Sequence, residues 1–129
     1  LKPMGKGISA GSDRNENGLK NAFDGNGDSR WSTEGNREPG QWFMIGFDKV
    51  RKVSGVTLNL GQSTGDRILQ PKVFAGETIE TMKPVAFKYA KGRKADEFTF
   101  ETPLNVNYIR FVNGAESGGF WSIHEVEVK

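Results

Sequence analysis

The sequence predicts an all-β domain, either a sandwich or a barrel. Apolar residues alternate with period two in several short runs, and turn formers separate those runs. No long window carries the helical period. The 17 glycines and nine phenylalanines fit many turns and aromatic-rich strands.

The elements follow in chain order. Residues 1–21 read as mostly irregular, with a short strand at 7–10 and a helical turn near 18–22. The clearest strand is 41–47, where Phe43, Ile45 and Phe47 share one face by alternation. Residues 53–60 are rich in β-branched side chains, and 61–67 read as a loop. Residues 68–75 form a strand candidate whose Pro71 places it at an edge or a bulge. The runs 84–89, 97–101, 106–112 and 123–128 complete the set. No internal repeat and no linker interrupt them, so 1–129 reads as a single module. Leu1 stands where an initiator Met would, which suggests a piece excised from a larger multidomain protein.

A chain of 129 residues can bury a core without staples. The absence of cysteine excludes disulfides, thiolate metal sites and cysteine nucleophiles. No apolar run approaches the length of a membrane span. Net charge is +2, and the basic clusters at 49–52 and 88–94 read as solvated strand edges rather than a nucleic-acid surface.

The richest local chemistry is Asn21-Ala-Phe-Asp24-Gly-Asn26-Gly-Asp28-Ser29-Arg30-Trp31. Oxygen-bearing side chains sit between glycines, as a hard cation requires. It is not an EF-hand: Ser29 replaces the turn glycine, Gly35 replaces the bidentate Glu, and flanking helices are missing. Two readings remain. One is a cation loop of another type that needs a remote carboxylate. The other is an Asx-rich turn that satisfies its own backbone.

Catalysis finds little support. His124 is the only histidine and lies inside a strand pattern. Gly5-Lys-Gly7-Ile-Ser-Ala-Gly11 misses the dinucleotide spacing by one residue. Exposed aromatics are the better lead. Phe120 and Trp121 follow Gly118-Gly119, and adjacent residues of an extended chain point to opposite faces. One ring is then core, and the other is free to stack on the C–H face of a sugar.

Together these segments resemble the discoidin or F5/8 type C family, which includes the family 32 carbohydrate-binding modules. The matching segments are Ala22–Ser32, Pro39–Phe47, Val53–Leu58, Tyr108–Phe111 and Trp121–Val128, in the family's order along nearly the whole chain. The resemblance implies an antiparallel jelly-roll β-sandwich of about eight main strands, with a larger and a smaller sheet. It implies one structural Ca²⁺ held by the carbonyl of Asn21, the side chains of Asp24, Asn26 and Ser29, the carbonyl of His124 and the carboxylate of Glu125. Glu125 would be the remote carboxylate that the loop lacks.

The resemblance also implies a non-catalytic carbohydrate-binding module that targets an attached glycan-active enzyme, secreted or at the cell surface of a bacterium. Phe120 stands at the stacking position, with Asp66, Arg67 and Glu116 as hydrogen-bonding partners. The galactose-binding branch carries a His, an Arg and an Asn where this chain has Ser32, Leu60 or Gly61, and Gly65. Galactose specificity is therefore not carried over, and the sugar is left open. The alternative function is a structural or protein-interaction module that has lost sugar binding. Insertion into a membrane ranks low, because the loops are rich in Gly, Ser, Asn and Asp.

Overall fold

The computed structural model describes residues Leu1–Lys129. Its strands are β1 (Lys2–Gly5), β2 (Ile8–Ser12), β3 (Trp31–Ser32), β4 (Trp42–Asn59), β5 (Lys72–Gly76), β6 (Lys83–Pro84), β7 (Phe87–Lys91), β8 (Ala95–Val112), β9 (Ser122–Ile123) and β10 (Glu125–Val128). A 3-10 helix spans Glu16–Ala22. All strand pairs are antiparallel. The expected all-β sandwich is the observed architecture.

The two layers share strands. One layer runs β1-β2-β4-β8-β5-β6. The other is formed by β10, β4, β8 and β7. β4 and β8 are each 18 residues long and serve both layers. Trp42 to Gly46 pair with Val112 to Tyr108, and Gly55 to Asn59 pair with Thr99 to Ala95. The sequence suggests two strands in each of these stretches. The ladder instead continues through Arg51↔Val106 and Lys52↔Asn105, with register shifts on either side that let the strand bend.

Other elements also differ from expectation: the run 84–89 divides into β6 and β7, and 123–128 into β9 and β10. The strand expected from Ile68 starts only at Lys72. The Ile68 N–H donates to Asp96 Oδ2 at 3.2 Å and the Leu69 N–H to Asn113 Oδ1 at 2.8 Å, so side chains replace the ladder there. Gln70 has a positive φ of 45°, and Pro71 has no donor. β1 was not anticipated, because its residues do not alternate.

The core lies between the layers. Phe43 and Ile45 are fully buried and Phe47 is 7% exposed, as the alternation predicts. Trp31 meets Trp121 edge-on at 5.2 Å and Phe43 at 5.0 Å. Each such pair adds roughly 0.5–1.5 kcal/mol beyond area burial. This aromatic cluster sits directly beneath the loops at one end of the sandwich, where β3 pairs with β9.

Candidate functional site

Two neighbouring centres occupy these loops. The first is built on the 21–31 loop. The Asn26 N–H donates to Asp24 Oδ1 at 3.0 Å, and the Asp28 N–H donates to Asn26 Oδ1 at 2.9 Å. Ser29 Oγ donates to Asp24 Oδ2 at 2.5 Å. Asn21 holds the far end by donating to the Arg30 carbonyl at 3.0 Å. These are the Asx turns that the composition suggests.

The remote carboxylate arrives as well. Glu125, at the start of β10, lies beside this loop and shares a cavity wall with Gly25, where Asp24 and the Gly25 and Asn26 amides act on its carboxyl. Bonds from Ser29 and the Asn26 amide hold the Asp24 carboxyl below its ordinary range. Burial, and then the Asp24 carboxyl beside it, push Glu125 above its ordinary range. Glu125 Oε1 is buried with no partner. No cluster of three His, Asp or Glu side chains exists, so the set is two carboxylates with neutral oxygens around them. Two acidic groups forced together, one with an orphaned oxygen, fit an oxygen-seeking cation such as Ca²⁺.

His124 joins this loop to the next centre. Its ring lies 2.7 Å from the Gly27 carbonyl through Nδ1 and 2.9 Å from Ser63 Oγ through Nε2. A carbonyl only accepts, so Nδ1 donates its proton to Gly27. The residue is 1% exposed. Gly61 makes room for it: φ is +54°, and a Cβ there would stand 2.6 Å from His124 Nδ1. The resemblance gave His124 only a backbone role, and its ring had no signal in the sequence.

The second centre surrounds Phe120. Trp121 is fully buried while Phe120 is half-buried, so the adjacent rings divide as the extended backbone requires. The Arg30 guanidinium lies over the Phe120 ring, 5.9 Å from its centroid. Arg30 donates to Asp66 Oδ2 at 3.0 Å and to Ser63 Oγ at 2.9 Å. Ser122 Oγ donates to the same Asp66 oxygen at 2.6 Å. Asp66 is therefore brought to the ring.

Arg67 is not. Its guanidinium donates to Asp96 Oδ1 at 3.1 Å and to the Ala95 carbonyl at 2.9 Å, and it also bonds the Gly92 carbonyl. Arg67 points the other way from Asp66 and anchors the loop from within. Glu116 is exposed and lines an open polar cavity of about 360 Å³ with Asn36, Arg37, Glu38, Ser117 and Gly118. Arg37 is 7% exposed and clamps three loops, donating to the carbonyls of Gly65 at 3.0 Å, Arg67 at 2.8 Å and Gly118 at 3.0 Å. Sequence reasoning missed Arg30 and Arg37, since their partners lie tens of residues away.

A family model described as the F5/8 type C domain matches residues 7–126. The chain belongs to this family. Among curated proteins, none matches the sequence. Several solved structures similar to this F5/8 type C domain are carbohydrate-binding modules. The family 32 module of Clostridium perfringens NanJ, solved with galactose, is 25% identical with a TM-score of 0.76, covering 94% of this chain and 92% of that one. Another C. perfringens family 32 module, from GH89 and solved with GalNAc-β-1,3-galactose, is 15% identical with a TM-score of 0.76, covering 95% and 94%. Chitosan-binding module 1 from a Paenibacillus chitosanase/glucanase is 20% identical with a TM-score of 0.74, covering 100% and 99%.

Within this family the departures stand out. Ser32, at the galactose-branch His position, is 5% exposed and accepts from the Glu34 N–H at 3.3 Å. The Gly65 carbonyl is taken by Arg37. Arg30 and Asp66 place a guanidinium and a carboxylate beside the ring instead.

Proposed function

We propose that this F5/8 type C domain is a non-catalytic carbohydrate-binding module whose sugar stacks on Phe120. The half-buried ring at the loop tip, flanked by the Arg30–Asp66 ion pair, carries the reading. A guanidinium and a carboxylate side by side offer donor and acceptor to neighbouring hydroxyls, with bonds stronger than neutral ones. Glu116 in the adjoining cavity is the further partner. Arg67 has no part in contact and holds the loop. Such a site is shallow, so a single sugar binds weakly, and tethering to an enzyme supplies the effective concentration.

The module's place is with a secreted or surface-bound bacterial enzyme that acts on the same glycan. The chitosan-binding relative, derived from a chitosanase/glucanase, supports that arrangement. A structural Ca²⁺ bound by Asp24, Asn26, Ser29 and Glu125, with the carbonyls of Asn21 and His124, is part of the proposal. The orphaned Glu125 oxygen supports it. The ion would pin the loop and supply no chemistry to the ligand.

A second reading has its own support. The Arg30 guanidinium covers the ring, and the galactose-type partners are missing, as in a structural module without sugar binding. A glycan array followed by tryptophan-fluorescence titration distinguishes the two. Binding at millimolar sugar that Phe120→Ala lowers severalfold or more supports the first, since an aromatic contact of this kind is worth about 0.5–1.5 kcal/mol beyond area burial. No binding across a broad array defeats it.

A further inference from the structure

The two outward faces of the sandwich differ in chemistry. On the β10-β4-β8-β7 layer, Asn59, Glu97 and Glu127 point outward around a covered Thr57, opposite the buried side chains of Val56 and Leu58. That is the polar surface an antiparallel sheet turns to water. The other layer breaks this rule. Trp42 lies half-buried on the outward face of β4 with Met44 beside it, itself only 4% exposed, although Phe43, Ile45 and Phe47 already supply the strand's inner face. Core packing does not require the outward apolar set.

The cross-strand registers define that face. One row runs Met44, Arg110, Phe74, and the next runs Trp42, Val112, Lys72. A third holds Gly46 beside Tyr108. Trp42, Phe74 and Tyr108 are half-buried rings. The Arg110 guanidinium lies over the Phe74 ring, 5.6 Å from its centroid. The Leu1 side chain packs over Gly46 and Gly11, where a Cβ would stand 2.8 and 2.5 Å from it, and so closes the β1-β2 side of this face. Arg110 and Lys72 are the charged residues in these rows, and no outward position in them carries a carboxylate. Glu16, near Trp42, is paired with Lys2 at 3.4 Å.

We propose that this face is a second glycan site, separate from Phe120, and that it takes an acidic polysaccharide carrying uronate carboxylates. The Trp42 and Tyr108 rings take sugar C–H faces, and Arg110, held over Phe74, donates to a carboxylate from its planar fork. Lys72 adds a second positive point along the same face. A two-fold contact with a second copy is disfavoured, because it would set Arg110 and Lys72 against a surface of the same charge. The proposal stands whether or not Phe120 binds sugar.

Affinity electrophoresis of the full chain tests it, with hyaluronan and polygalacturonate as acidic polymers and dextran as the neutral one. The acidic polymers retard the protein, dextran does not, and added salt weakens the effect. Arg110→Gln and Phe74→Ala each lower the apparent affinity about tenfold. Melting curves confirm that each variant folds, and the exposed Lys72→Gln gives a milder loss if the others do not. Absence of retardation by both acidic polymers overturns the proposal. So does retardation that survives Arg110→Gln and Phe74→Ala, or is lost in Phe120→Ala instead. Self-association in sedimentation that Phe74→Glu abolishes would assign the face to a second copy and overturn it equally.

Discussion

Asp96 is fully buried, and its carboxyl accepts from the Tyr89 hydroxyl at 2.6 Å, the Arg67 guanidinium at 3.1 Å and the Ile68 amide at 3.2 Å. Burial pushes the Asp96 carboxyl up, and Tyr89, Ile68 and Arg67 only partly pull it back. The same site acts on Tyr89. Burial, and then its bond to Asp96, raise the phenol well above its ordinary 10.0. The folded protein therefore keeps a proton that the unfolded chain releases above about pH 10. Stability from this group is complete below that pH and is lost as pH rises toward the folded value. Tyr89→Phe costs about 1 kcal/mol at neutral pH, and its melting temperature declines less steeply than the parent's between pH 10 and 12. Parallel declines would show that the phenol does not titrate as argued. At this scale the sequence was only partly legible. The split between Phe120 and Trp121 followed from strand alternation alone. Arg67 reads as a ligand partner because it is a polar residue of the same loop as Asp66, yet neighbours in an extended segment point apart. Arg30 and Arg37 gave no signal, because an isolated Arg looks the same whether it is solvated or clamped among carbonyls.

The 21–31 loop shows how much of an element a local pattern reveals. Its oxygen-rich spacing was visible, and so were its Asx turns. Its closure by Glu125 came from the resemblance, since a contact a hundred residues away leaves no periodicity. If a cation binds there only in the folded state, saturation at about a hundred times its dissociation constant adds about 2.7 kcal/mol. Ca²⁺ then raises the melting temperature by several degrees, and EDTA removes the gain. Asp24→Ala makes the protein indifferent to both. A melting temperature unmoved by Ca²⁺ and EDTA in the parent chain rules the site out. The long strands illustrate the opposite case. The sequence suggests breaks between 47 and 53 and between 101 and 106, but irregular ladders carry β4 and β8 through them. A bulge costs one pairing and keeps the rest, which local propensity does not register.

At the scale of the whole molecule, the fold class was legible because alternation and turn formers agree along the entire chain. The ligand was not, because the loops that carry it obey no period. The sharing of β4 and β8 between layers makes a thermodynamic prediction: neither layer can melt alone. Far-UV circular dichroism and tryptophan fluorescence should report one coincident transition in denaturant. Separated midpoints would show that the layers uncouple. The shared strands also bear on how the molecule fails when it is cut. A protease that nicks an exposed loop, such as the one between Gly76 and Lys83, severs the chain but divides neither long strand. The two fragments stay laced through the same ladders. A clipped module would keep its shape and its grip on a surface until something pulls the pieces apart.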